Sequence, residues 1–231
     1  MELHFNKAFE TLGPSLLDGV GIVVYITLIG FVLALVVALF LAIGRLSKNK
    51  VLSSILGLLI ELIRGTPLLV QFFYIYYVIP LLINGLVSLA GYDSNVQFKP
   101  ATCGIIGFAI NYGCYMSEVI RAAILSIDLG QREACLALGF SEKQVLFRFI
   151  IPPALRNSVP VFGNYLVMMI KDTSLLAMIS VQELLLRTKT FASQTFLTVE
   201  AYTILAFFYL AISVPLSQLS RIVERKLKQV G

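Results

Sequence analysis

The chain has 231 residues, 58% of them apolar and only 13% charged, with a mean hydropathy of +0.88. The charged share is about half the ~25% of an average soluble domain, too little polar surface to cover so large an apolar interior in water. That excludes a soluble globular domain, a disordered chain, a nucleic-acid-binding protein and a secreted disulfide scaffold, and leaves an integral membrane protein. The net charge of +5 fits basic loops on the cytoplasmic side of a bilayer.

A spanning helix needs about 20 predominantly apolar residues. Gly19 to Gly44 carries no charge, follows Glu10 and Asp18, and precedes Arg45, Lys48 and Lys50. A cleavable signal has the opposite flanks and a shorter apolar run, so this segment is expected to be a first span running outside to inside. Residues 1–18 would then be an external N-terminal segment.

The second expected span is Val51 to about Leu82, interrupted by Glu61, Arg64 and Pro67. Pro67 removes a backbone donor and is expected to kink it. Asn84 to Pro100, with Gly85, Gly91, Asp93 and Asn95, reads as an external loop. Ala101 to Ser117 is the third span, continuing past Glu118. Arg121 to Arg156 is mixed in charge and reads as cytoplasmic. Asn157 to Ser180 is the fourth span, with Lys171 and Asp172 inside it. Glu183 to Thr198 reads as polar and external, Ala201 to Ser220 as the fifth span, and 221–231 as a basic cytoplasmic tail.

Charge supports this order. The expected inside segments hold Arg45, Lys48, Lys50, Arg121, Arg132, Lys143, Arg148, Arg156, Arg221, Arg225, Lys226 and Lys228, and the outside ones only Lys7, Lys99, Arg187 and Lys189. The result is an all-α multi-pass protein with five transmembrane helices, its N-terminus outside and its C-terminus in the cytoplasm.

Cys103 and Cys114 lie eleven residues apart on one apolar run, too far along a helix for a bridge, and Cys135 stands apart. The single histidine, His4, excludes a His-based metal cluster. No G-x-x-x-x-G-K-[ST] loop is present, so ATP is not bound in that manner. Nor is there a G-x-S-x-G or a histidine placed as a base. Neither a catalytic residue nor a bound cofactor is expected in this chain.

The 121–156 segment is the most informative. Gln131 to Leu138 has helical composition, and Gly139 can supply a left-handed turn. Ser141 with Gln144 three residues on forms a capping box for a second short helix. Val145, Leu146, Phe149 and Ile150 give that helix an apolar face, and Pro152 and Pro153 are expected to stop it. Such a face needs a cover, from this chain or from a partner.

Glu133-Ala134-Cys135-Leu136-Ala137-Leu138-Gly139, followed by Phe149, Ile151 and Pro152, resembles the EAA motif of ATP-binding-cassette (ABC) importer permeases, E-A-A-x-x-x-G-x₉-I-x-L-P. It departs from that pattern at Cys135, Phe149 and Ile151, each conservatively. Further runs are similar to the polar-amino-acid branch of that family: Glu61 to Gln71 (ELIRGTPLLVQ), Ser117 to Ala122 (SEVIRA), Gly130 to Ala134 (GQREA) and Lys171 to Leu175 (KDTSL). The resemblance covers roughly residues 15–225. It implies a MetI-like permease fold with a cytoplasmic pair of coupling helices. These would dock into a groove on an ATPase subunit through Glu133, Ala134, Gly139, Ser141, Val145, Leu146, Phe149 and Pro152. It further implies a pair of ABC ATPase subunits carrying ATP and Mg, a second permease subunit (identical or not), an external substrate-binding protein, and an amino-acid substrate crossing a bacterial plasma membrane.

Charged residues inside a span cost roughly 2.5–3.5 kcal/mol each on insertion scales and usually face the bundle interior. Glu61 and Arg64 share a helix face, as do Asn111 with Tyr115 and Tyr112 with Tyr115. Two readings of Glu61, Arg64, Lys171 and Asp172 stay open: ion pairs that lock the bundle, or groups that line a substrate path with Asn111, Tyr112, Tyr115 and Glu118. Tyr74, Tyr76 and Tyr77 read as an interfacial aromatic belt. Two other functions remain at this stage: the same machinery for another small organic or inorganic anion, and a non-transporting membrane scaffold or sensor.

Overall fold

The computed structural model describes residues 3–229. Residues 1, 2, 230 and 231 of the expected terminal segments lie outside the described residues, as does the side chain of Lys228. The elements are α1 (Phe5–Arg45), α2 (Lys50–Arg64), α3 (Leu68–Phe73), α4 (Ile79–Leu89), α5 (Pro100–Leu125), α6 (Leu129–Ala137), α7 (Glu142–Gln144), α8 (Ile151–Asp172), α9 (Leu184–Thr195) and α10 (Thr198–Gln229). Wide π-type turns at Tyr74–Val78 and Val145–Ile150 join their flanking helices without a break, and a 3-10 turn, Thr173–Ile179, extends α8. No strand occurs among the described residues.

By length and composition α1, the run Leu68–Leu89, α5 and α10 can each cross a bilayer. The run from Glu142 to Thr195, bent by 52° near residue 180, contains a fifth candidate span. α5 is the most enclosed. α1 lies along it through a stripe of small residues, Gly30, Ala34, Ala38 and Ala42. A Cβ on Gly113 would stand 2.9 Å from the Val37 Cβ and 3.3 Å from the Ala34 carbonyl oxygen, so the α1 and α5 backbones meet closely, as small-residue interfaces allow. Phe72, Phe108, Tyr112, Met116, Met169 and Leu176 fill the core around α5.

Several expectations change. The first helix begins at Phe5, not Gly19. Ala8, Leu12 and Leu16 are buried against Leu184, Ala192 and Ala201, so most of the expected external segment belongs to the bundle. The second span is not one kinked helix. Pro67 sits extended (φ −60°, ψ 137°) and divides α2 from α3. The residue before a proline avoids helical geometry, and Pro67 cannot donate to Ile63. The span therefore starts after Pro67, and the 15-residue α2 is too short to cross alone. Glu61 and Arg64 thus lie outside any membrane-length run.

The expected loop from Asn84 is shorter, because α4 continues to Leu89. Asn84 clamps the loop from within that helix: its Oδ1 accepts from Ser94 Oγ at 2.7 Å and from the Val96 N–H at 2.8 Å. Residues 184–195, within the stretch expected to be polar and external, form α9. Pro152 and Pro153 do not stop the second short helix. The π turn before them carries an Ile151 N–H to Leu146 O bond, one residue wider than α. The wider turn makes room for the proline rings, and the helix runs on from Glu142 to Ile179.

Candidate functional site

The elbow formed by Arg64, Gly65, Thr66 and Pro67 faces α5 and the last two turns of α8. Between them lies a pocket of about 410 Å³, lined also by Leu68, Asn111, Tyr112, Tyr115, Tyr165, Met168 and Asp172. That volume is within the range of small-ligand sites. Five of the eight path candidates, Arg64, Asn111, Tyr112, Tyr115 and Asp172, meet here.

Each polar group is held by helix geometry. Asn111, Tyr112 and Tyr115 occupy one side of α5. The Tyr112 hydroxyl donates to Asp172 Oδ2 at 2.6 Å, leaving Oδ1 toward other donors. The Tyr115 hydroxyl donates to the Arg64 carbonyl oxygen at 3.2 Å, and the Arg64 guanidinium lies 5.0 Å from the centre of the Tyr115 ring. Tyr165 stacks edgewise on Tyr112, with ring centres 5.9 Å apart, and closes the wall. A guanidinium and a carboxylate thus face one cavity across three aromatic rings, which lets the site take a small solute carrying both a negative and a positive group.

The ion pairs of the locking reading do not form among the described residues. Among the described residues Arg64 has no carboxylate within 4.0 Å, and neither do Lys171 and Asp172 pair with Glu61 or Arg64. Glu61 and Lys171 are exposed and do not line the pocket. Glu118 is also set apart, for Arg121 binds one of its oxygens at 2.8 Å and Arg45 approaches the other at 3.8 Å. It ties α5 to the end of α1 rather than lining the cavity.

Sequence reasoning missed Tyr165, Met168, Thr66 and Gln71. Tyr165 and Met168 precede Asp172 by seven and four residues and so share its helix face, a signal that was there to be read. It also missed Glu183, which is wholly buried. Its carboxylate caps α9 through the Leu185 and Leu186 N–H groups and accepts from the Tyr209 hydroxyl at 2.9 Å.

A second candidate surface is the helix pair 129–150. Asp128 caps α6 through the Gly130 N–H, and Gly139 takes the left-handed conformation (φ +86°). The Ser141–Gln144 capping box forms in both directions. Lys48 bonds Glu142 at 2.9 Å and Arg132 approaches it at 3.8 Å, fastening the pair to the α1–α2 turn. Lys48 holds the Glu142 carboxyl below its ordinary range, first through this hydrogen bond and then through its charge.

Glu133, Ala134, Gly139, Ser141 and Pro152 are exposed. The apolar face divides, however. Val145 and Ile150 are buried in the chain's own core and Leu146 packs against it. Phe149 stays 40% exposed beside Phe140, and Phe147 and Leu138 point outward at 55% and 77% exposure. Val145 and Leu146 therefore hold the pair onto the bundle, and Leu138, Phe147 and Phe149 form the outer apolar surface.

A five-span helical bundle with a charged, tyrosine-walled pocket and an exposed helix pair at one end defines a membrane transport subunit. The chain belongs to the binding-protein-dependent transport system inner membrane component family, whose profile matches residues 19–229. It is 35% identical over 219 residues to the L-cystine transport system permease protein of Bacillus subtilis, covering 94% of this chain and 88% of that one. It is likewise 35% identical over 215 residues to the glutamine transport system permease protein of Escherichia coli K12, covering 93% and 94%. Its fold matches a crystal structure of an amino acid ABC transporter with histidines, with TM-score 0.83 and 30% identity over 98% of this chain and 100% of that one. The methionine transporter MetNI, inward facing, matches in fold alone, with TM-score 0.61 at 15% identity.

Proposed function

We propose that this permease carries a zwitterionic amino acid through the Arg64–Asp172 pocket, driven by ATP hydrolysis on separate partner subunits. The observation that carries the reading is the pairing of groups in one cavity. A free guanidinium suits an α-carboxylate, Asp172 Oδ1 suits an α-ammonium, and the tyrosine wall with Met168 accepts a side chain. A purely anionic cargo is disfavoured by Asp172. The amino-acid, cystine and glutamine systems among its relatives support the same class of cargo.

In this reading the helix pair 129–150 docks a pair of ABC ATPase subunits, which hold ATP and Mg. An external binding protein delivers the solute, and a second permease subunit completes the path. Residues 19–220 form the transmembrane permease domain, with the loop 121–156 and the tail from 221 in the cytoplasm and the N-terminus outside. The excess of basic residues at one end supports that orientation in a plasma membrane.

The test is uptake into proteoliposomes that contain the permease, its ATPase and its binding protein, supplied in turn with each of the 14C-labelled L-amino acids. ATP-dependent accumulation of at least one, lost in Arg64→Ala and Asp172→Asn at normal abundance, is expected. Accumulation unaffected by both changes would remove the pocket from the path. A complex that binds the ATPase but accumulates no solute would favour a scaffold.

A further inference from the structure

Pro67 costs two backbone acceptors their i→i−4 donors; of these the Ile63 carbonyl keeps a long bond from the Thr66 N–H at 3.4 Å and one from the Thr66 hydroxyl at 3.1 Å. The donor that would have served the Ile63 carbonyl is the missing N–H of Pro67 itself. The Val70 N–H, which would have served Thr66, instead donates to the Pro67 carbonyl oxygen at 3.0 Å. One further side chain reaches both carbonyls. The Gln71 amide nitrogen donates to the Ile63 carbonyl at 2.7 Å, and it lies 3.1 Å from the Thr66 carbonyl and 3.0 Å from the Thr66 hydroxyl. Its oxygen accepts from Asn111 Nδ2 on α5 at 3.1 Å. Gln71 and Asn111 are both buried, so the bond between them forms away from competing water.

The elbow thus has two attachments to α5. One is the buried amide pair Gln71–Asn111; the other is the Tyr115 hydroxyl on the Arg64 carbonyl. Asn111 and Tyr115 are one turn apart on α5, so the two attachments are stacked on one face. Together they restrain the elbow, and Arg64, its first residue, lies over the Tyr115 ring at the pocket.

We infer that Gln71 is a positioning residue of the transport site: its amide replaces the backbone donors lost at Pro67 and, through Asn111, holds the Arg64–Pro67 elbow so that the Arg64 guanidinium faces the cavity. The inference rests on the pocket reading above. Gln71 does not touch the solute; it sets where the guanidinium stands. Two variants separate donation from bulk. Gln71→Met keeps length and volume but neither donates nor accepts well. Gln71→Glu keeps an acceptor for Asn111 and loses both donors toward Ile63 and Thr66.

The experiment uses the permease–ATPase complex in nanodiscs without binding protein. A mixture of uniformly 14C-labelled L-amino acids, below saturation, is the probe, and the label retained is compared with the melting temperature. Wild type should retain label and Arg64→Ala should lose it. Both Gln71 variants should retain roughly tenfold less than wild type, the scale expected for a misplaced charged hydrogen bond, with unchanged ATPase association and a melting temperature lowered by no more than the several degrees that an unsatisfied buried group costs. Retention at the wild-type level in both Gln71 variants, with Arg64→Ala deficient, would overturn this inference and leave the pocket reading standing. Loss of label in both variants together with loss of ATPase association would overturn it too, since Gln71 would then serve folding alone. Equal label on wild type and Arg64→Ala would overturn the pocket reading and this inference with it.

Discussion

Arg64 and Tyr115 grip each other in two ways: the guanidinium lies over the ring at 5.0 Å, and the phenol donates back to the Arg64 carbonyl oxygen at 3.2 Å. The backbone contact fixes where the arginine begins, and the ring contact fixes where its charge ends. The charge is thereby held without an acidic partner and keeps its hydrogen-bonding capacity for a solute.

Replacing Arg64 should therefore separate transport from folding. No ion pair is broken, so Arg64→Ala should reach the membrane in normal amount and melt within a degree or two of wild type. Uptake should fall roughly tenfold to a hundredfold, the value of one charged hydrogen bond. Arg64→Lys should recover only part, because an ammonium lacks the planar fork. Initial uptake rates against immunoblotted abundance give the result.

Gly139 offers a cleaner test of the helix pair. Nothing lies within 4 Å of where a Cβ would stand, so the cost of a side chain there is conformational alone. Gly139→Val should cost about 1–3 kcal/mol in the turn, while Gly139→Asn, tolerant of the left-handed region, should cost less. The valine variant should show ATP hydrolysis no longer stimulated by loaded binding protein. Measuring hydrolysis and uptake together distinguishes uncoupling from simple loss of protein.

The divided apolar face predicts opposite phenotypes for neighbours. Val145→Ala removes two buried methyl groups and should lower stability by about 2 kcal/mol without weakening ATPase docking. Phe147→Ala should leave melting unchanged and weaken docking. Cysteines at Leu138 and Phe147 should crosslink to the ATPase subunit, and one at Val145 should not. A crosslink at Val145 alone would reverse the assignment of the two faces.

The Lys48–Glu142 contact predicts a pH response of definite sign. The folded Glu142 carboxyl is lowered, so the tie is intact above the usual carboxylate value of about 4.3 and is lost as pH falls through the lowered value. Lys48→Met should return its titration toward the ordinary range, followed by 13C NMR of the labelled side chain. Both side chains are half exposed or more, so melting at neutral pH should barely change.

What the sequence makes legible here is local. Gly139 and the Ser141–Gln144 box follow from backbone chemistry within four residues, and the spans follow from apolar runs against a fixed bilayer thickness. The break at Pro67 is not legible as a break, because the apolar runs flanking the 61–67 stretch read as one interrupted span and hydropathy does not register a change of direction. Val145 faces inward although it shares a helical stripe with exposed Phe149, since only the neighbouring helices decide which edge of a stripe is covered. Glu183 reads as a loop acid. Its partner Tyr209 lies 26 residues away, and Gln71 and Asn111 are separated by 40. Such pairs exist only once the helices have packed.

The unbroken helical course from Glu142 to Ile179 has a mechanical consequence. The π turn that admits Pro152 and Pro153 also makes the exposed helix and the pocket wall parts of one rod, softened where Pro152, Pro153 and Pro160 omit donors. At 1.5 Å per residue, Ile151 and Asp172 stand about 30 Å apart along it. A tilt of about 5° at the exposed end, by simple geometry, sweeps Asp172 through an arc of about 3 Å, the length of a hydrogen bond. The rod is thus a lever whose far tip carries one of the two charges in the cavity, and a small rotation at its handle is enough to part Asp172 from whatever Arg64 is holding.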